Sequence, residues 1–186
     1  MPFAGQFFQY RLNLRQKPHI KHAICFVKDY YARIIQAKGF LLDVINKASQ
    51  VLKGARRVGV PVIYVVHRGR GFDAGGSDTE IHSGVAPMPG ESVLAKSKTS
   101  PFSTTGLDVM LREMGRDTLV LLGVATSGCV LSTVRLASDI NYKVVVVSDG
   151  CSDKDPEVHR VLTQKIYPRQ GTVLSAQEFL QAVGAA

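Results

Sequence analysis

What most constrains the fold of this chain is the alternation of short β-branched runs with longer segments of helical period. Ala23–Lys28, Val60–Val66, Ser92–Ala95, Thr118–Leu122, Lys143–Ser148 and Thr172–Leu174 read as strands. Several of them are apolar almost throughout, which is how strands read when both faces of their sheet are covered. Between the first two, Leu41, Leu42, Ile45, Ala48, Val51, Leu52 and Ala55 recur at helical spacing, and Gly59 and Pro61 then stop the helix. Leu107–Met114, Cys129–Ile140, Pro156–Ile166 and Ala176–Val183 repeat that pattern. Strands that alternate with helices imply an α/β protein: a three-layer α/β/α, Rossmann-like arrangement around a six-stranded parallel sheet.

Length and composition limit what such a sheet can serve. With 186 residues, 45% of them hydrophobic, the chain suffices for one domain over 23–186, preceded by an N-terminal arm over 1–22. Three cysteines, Cys25, Cys129 and Cys151, are an odd number at wide spacing. They fit neither a disulfide framework nor a zinc site and point to a reducing, cytoplasmic setting. No apolar run approaches the roughly 18 residues of a membrane span, and the first residues lack the apolar core of a signal peptide. The net charge of +8 is scattered. Its densest cluster is Arg11, Arg15, Lys17 and Lys21, and no recognition motif for nucleic acid accompanies it. The expected partner is therefore a small molecule, not a nucleic acid or a membrane. The arm, with Phe3, Phe7, Phe8, Tyr10, Leu12 and Leu14, is apolar enough to pack on its own domain or on a neighbouring subunit.

In open α/β sheets ligands sit beyond the carboxyl ends of the strands. Asp29, Lys96 and Cys129 lie at or just past three such ends. Gly123-Val124-Ala125-Thr126-Ser127-Gly128 leads from a buried-looking strand into a small-residue turn, with Cys129 where a helix should begin. There unpaired N–H groups and the helix dipole favour a thiolate, and a nearby lysine adds to the effect. Each residue alone has an ordinary explanation: a capping aspartate, a solvated lysine, a small buried thiol. Together they supply a nucleophile, a cation and a proton carrier for acyl transfer to water. The glycine-, aspartate-, serine- and proline-rich stretch Arg68–Gly90 joins two strands on one side of the sheet and reads as either a functional lid or a disordered connector.

Val93-Leu94-Ala95-Lys96, Ser100-Pro101-Phe102, Thr105-Gly106-Leu107 and Gly123 to Thr133, followed by Tyr142 to Asp149 and Asp155 to His159, resemble the isochorismatase-like cysteine hydrolase superfamily. The resemblance spans roughly Ala23 to Leu180 and, since members of the superfamily are commonly oligomers, implies a homo-oligomer, a dimer or larger. It implies the isochorismatase-like hydrolase fold and a catalytic triad of Asp29, Lys96 and Cys129. It also implies a cis peptide between Val124 and Ala125, with an oxyanion hole from the Ala125 and Cys129 N–H groups. In an ungapped alignment Lys28 stands at the family's aspartate position. Asp29 takes that place with a one-residue shift, which also aligns Tyr30 and the Ile34-Ile35 pair. A slip of one turns a strand residue to the other face unless a bulge intervenes, so the direction of Asp29 decides the acid's role.

Nicotinamidases of this superfamily bind a metal through Asp-x-His-x-x-His after the second strand. Here the region reads His67-Arg68-Gly69-Arg70, so neither a metal nor another cofactor is expected. His82 falls in the lid-like loop and has no assigned role. The Thr126-Ser127-Gly128-Cys129 wording is similar to the N-carbamoylsarcosine amidohydrolase group. It implies hydrolysis of a C–N bond in a small non-peptide amide or carbamoyl compound through a thioester. Tyr30, His67, Arg68, Arg70 and Phe102 are candidate substrate contacts. The alternative is a catalytically silent member that binds a metabolite or a protein.

Overall fold

The computed structural model describes residues 22–28, 40–68 and 81–185. Six strands form one all-parallel sheet: β1 (His22–Lys28), β2 (Val62–His67), β3 (Ser92–Lys96), β4 (Thr118–Val124), β5 (Lys143–Ser152) and β6 (Thr172–Leu174). Their spatial order is β3-β2-β1-β4-β5-β6. The chain steps outward from β1 through β2 to β3, then returns to the other side of β1 and steps outward again through β5 to β6. The order therefore reverses between β1 and β4, and in such sheets the crevice opens at that reversal.

Among the described residues five α-helices cover the sheet: α1 (Phe40–Arg57), α2 (Leu107–Glu113), α3 (Leu131–Asp139), α4 (Pro156–Val161) and α5 (Ala176–Val183). Right-handed crossovers made in opposite directions put α1 on one face and α2 and α3 on the other. α5 packs on α1 and β5. The core fits this three-layer arrangement: Val51, Leu52 and Ala55 of α1 and Leu119 to Leu122 of β4 are all fully buried. Every residue of β4 is buried, as expected of a central strand covered on both sides.

Local signals start α4 and bound α5 where the sequence suggests. Asp155 caps α4 by accepting from the Glu157 and Val158 N–H groups, with Pro156 at the first helical position. Ser175 and Glu178 form a reciprocal capping box on α5, and Gly184 closes it in the left-handed conformation at φ 71°.

Three segments depart from the expected pattern. β5 runs to Ser152, beyond the expected end at Ser148. Its pairing with β4 jumps from Leu121↔Val146 to Gly123↔Cys151, two steps along β4 against five along β5. Gly123 sits at this irregularity with φ 130°, a value that side-chain-bearing residues rarely adopt. The jump brings Cys151 and Ser152 beside the end of β4. The second departure is at Cys129, where a regular helix was expected to begin. Thr126–Val130 is a wide π-type turn instead, with Gly128 at φ −97°, ψ −107°, and the α-helix starts at Leu131. Pro156–Ile166 likewise divides, into α4 and a π turn at Leu162–Ile166.

Candidate active site

The crevice is built first by register. β1 and β4 pair from His22↔Thr118 to Lys28↔Val124, so Lys28 is the last paired residue of β1 and lies level with the end of β4. Asp29, the expected acid, follows immediately and lies outside the described residues, as do Tyr30, Arg70 and most of the expected loop Arg68–Gly90.

At the end of β4 the Val124–Ala125 peptide is cis. Cys129 follows within the turn and is fully buried. Its sulfur donates to the Val124 carbonyl at 3.1 Å, with the Ala125 carbonyl farther away at 3.8 Å. A thiol so placed must lose its proton before it can attack. The Ala125 carbonyl accepts from the Gly128 N–H at 3.2 Å and the Val130 N–H at 3.3 Å. Those two donors are engaged within the turn. The other two cysteines are buried as well, and burial pushes the Cys25 and Cys151 thiols up to about 12.

Lys96 ends β3 and is also fully buried. Burying an ammonium is costly unless it finds acceptors, and the fold provides them. Lys96 Nζ lies 3.0 Å from His67 Nδ1 and donates to the Lys98 carbonyl at 3.1 Å. An ammonium has donors only, so Nδ1 accepts, which assigns the proton of a neutral His67 to Nε2. The pairing follows from register: His67 and Lys96 are the facing last residues of β2 and β3. Arg68 is exposed, and its N–H donates to the Lys96 carbonyl at 2.7 Å, extending that edge by one bond.

After β3, the short 3-10 turn Pro101–Ser103 packs against α3, the helix that follows Cys129. The chain carrying Lys96 therefore closes onto the helix that follows the thiol. Phe102, expected to line a pocket, has its ring 5.8 Å from that of Tyr142, just ahead of β5. His82 caps the short turn Ser83–Val85, where its Nδ1 accepts from the Gly84 N–H at 3.0 Å.

An isochorismatase-domain model matches residues 23–178. The chain belongs to the isochorismatase family. The N-carbamoylsarcosine amidase of Thermoplasma acidophilum is 30% identical and superposes with a TM-score of 0.72, over 84% of this chain and 97% of that one. A cysteine hydrolase from Pseudomonas syringae superposes at 0.80 over 92% of this chain and 97% of that one; at 23% identity it speaks for the fold alone. The maleamate amidohydrolase of Pseudomonas putida is 34% identical over 97 residues, 52% of this chain and 46% of that protein. The chain spans about half the length of the first curated relatives it matches.

Within this isochorismatase fold, three residues touch the cysteine-bearing turn that sequence reasoning did not single out as site residues. Tyr167 donates to the Thr126 carbonyl at 2.6 Å, and Thr126 Oγ1 lies 2.8 Å from His159 Nδ1. Asp153 Oδ2 accepts from the Ser127 N–H at 2.6 Å. Only His159 had any signal, as the last residue of the Asp155-Pro156-Glu157-Val158-His159 segment. Burial pushes the His159 imidazole below its ordinary value, partly opposed by the nearby Asp153 carboxylate. Burial first, then the neighbouring Cys151, Cys129 and Asp153, raises the Tyr167 phenol far above its usual range. Among the described residues no group of three His, Cys, Asp or Glu side chains could hold a metal, and no helix is long and apolar enough to cross a membrane.

Proposed function

We propose that this protein is a cysteine hydrolase that cleaves the C–N bond of a small, non-peptide amide or carbamoyl compound. The observation that carries the reading is the placement of Cys129 in a kinked turn just past the end of β4, where the sheet reverses order. The amidohydrolase names of its relatives support the substrate class.

In this reading Asp29 takes the thiol proton and the Cys129 sulfur adds to the substrate carbonyl carbon, with Lys96 favouring the anionic forms. The Ala125 and Cys129 N–H groups receive the oxyanion; those of Ser127, Gly128 and Val130 are engaged elsewhere. The C–N bond then breaks, and Asp29 returns its proton to the leaving amine or ammonia. Water, deprotonated by the same carboxylate, adds to the thioester, and the C–S bond breaks to release the acid and the thiol. His67, Arg68 and Phe102, with Tyr30 and Arg70, are the proposed substrate contacts. The free cysteines support a reducing, cytoplasmic setting, and the apolar arm supports a homo-oligomer.

The test is ammonia release from a panel of maleamate, ureidoacrylate and N-carbamoylsarcosine, with Cys129→Ala as the control. Turnover that survives Cys129→Ala rejects the nucleophile. A second reading, a silent binding module, rests on Lys28 standing level with Val124 at the end of β1. It expects substrate-like compounds to bind without turnover, and Cys129 to alkylate as an ordinary thiol with a midpoint near pH ~8.5.

A further inference from the structure

The turn that carries Cys129 does not hold itself as an α-helix would. Gly128 is outside the helical region, and the turn makes wide bonds closed on the Ala125 and Thr126 carbonyls. Its shape is fixed instead from behind, by three elements distant in sequence. Tyr167, fully buried, donates to the Thr126 carbonyl; His159 of α4 meets the Thr126 hydroxyl; and Asp153, 8% exposed just after β5, takes the Ser127 N–H. Thr126 itself is fully buried and is gripped through both its backbone and its side chain. The Asp153 bond is short and charge-assisted, the strong kind. Asp153 can reach Ser127 because the register jump in β5 carries the chain up beside the end of β4.

We propose that His159, Asp153 and Tyr167 are positioning residues that clamp the Thr126–Val130 turn and thereby set the direction of Cys129 Sγ and of the Ala125 and Cys129 N–H groups. The inference rests on reading Cys129 as the nucleophile. Its physical ground is the narrow tolerance of such sites: oxyanion donors must lie about 2.7–3.1 Å from the developing charge, and a displacement of about 1 Å can cost ~100-fold. None of the three need touch substrate. They act by removing alternatives to one turn geometry.

The test compares the full-length wild type with His159→Ala, His159→Asn and Tyr167→Phe. One readout is iodoacetamide alkylation of Cys129 against pH, resolved by peptide mass spectrometry; Cys25 and Cys151 compete little, because burial raises both to about 12. The other is hydrogen exchange of the segment from Thr126 to Leu131 relative to the rest of the chain. His159→Ala should slow alkylation about tenfold, raise its pH midpoint and speed exchange in that segment alone. His159→Asn puts a carboxamide atom near the Nδ1 position and should restore both readouts to within about twofold. Tyr167→Phe should fall between them. A folded His159→Ala with wild-type alkylation and exchange overturns the proposal, as does an Asn variant no better than Ala. If His159→Ala fails to fold, Tyr167→Phe decides by the same two readouts. An unactivated Cys129 in the wild type would sink the nucleophile reading, and the clamp would still stand or fall on the exchange data.

Discussion

Replacing Arg56 by methionine should loosen the strand that delivers Lys96. Arg56, in the last turn of α1, grips Glu91 through two parallel bonds of 2.8 Å and also donates to the Tyr64 hydroxyl at 3.0 Å and the Ala86 carbonyl at 3.2 Å. Glu91 immediately precedes β3 and also accepts from the Met88 N–H at 2.8 Å. One guanidinium thus ties the approach to a five-residue edge strand onto α1 and β2. The side chains are 22% and 13% exposed, so the pair sits between surface and core. Breaking a fully buried pair costs about 3–5 kcal/mol and an exposed one about 0–1; this geometry places the loss near 2–3 kcal/mol. Methionine keeps much of the apolar stem, so the change isolates the polar contacts. For a chain of this size that corresponds to a melting temperature lower by roughly 4–12 °C.

Acid dependence provides an independent check. Burial raises the Glu91 carboxyl, but the Arg56 and Met88 bonds outweigh it and hold the group below its ordinary 4.5. A depressed folded-state value contributes stability that is fully present above pH 4.5 and is lost as pH falls through the depressed value. That acid-side loss should shrink in Arg56→Met. Chemical denaturation at several pH values, with Glu91→Gln and the double variant, gives the coupling energy directly. A single variant within about 0.5 kcal/mol of wild type, with an unchanged acid limb, would refute the reasoning.

Lys96→Met removes the cation proposed to favour the thiolate, so the pH midpoint for alkylation of Cys129 should rise by about one unit or more; an unchanged midpoint would deny Lys96 that role. Ser100 Oγ is buried and has no hydrogen-bond partner among the described residues, so Ser100→Ala should leave stability unchanged or raise it by about 1–2 kcal/mol, and a loss in thermal denaturation would show a partner at work. His159 is held below its ordinary 6.5, so the unfolded chain takes up a proton first as pH falls. Stability should therefore decline from pH 6.5 down through the depressed folded value, and denaturant titrations of His159→Asn should lose that part of the slope.

What the sequence alone determined is whatever can be decided over a few neighbouring residues. Apolar runs with β-branched residues located all six strands, and β6 runs from Thr172 to Leu174 as read. The helix of Ala176–Val183 was equally plain from its helical period, and Ser175, Glu178 and Gly184 fix its ends locally. Lys96 and Cys129 stood out because strand ends can be read along the chain. The overrun of β5 was not legible: the apolar run stops by Ser148, yet the backbone rejoins β4 three residues later than regular pairing would require. The wide turn at Cys129 was hidden too, since no periodicity distinguishes it from a first helical turn. Only the tertiary structure brought Asp153, His159 and Tyr167 onto that turn, across separations of 26, 33 and 41 residues. A hydrogen bond at such range leaves no local pattern, because its partners are chosen by how strands and crossovers pack. The sheet was written in side-chain chemistry, and the support beneath the cysteine in the geometry of the folded chain.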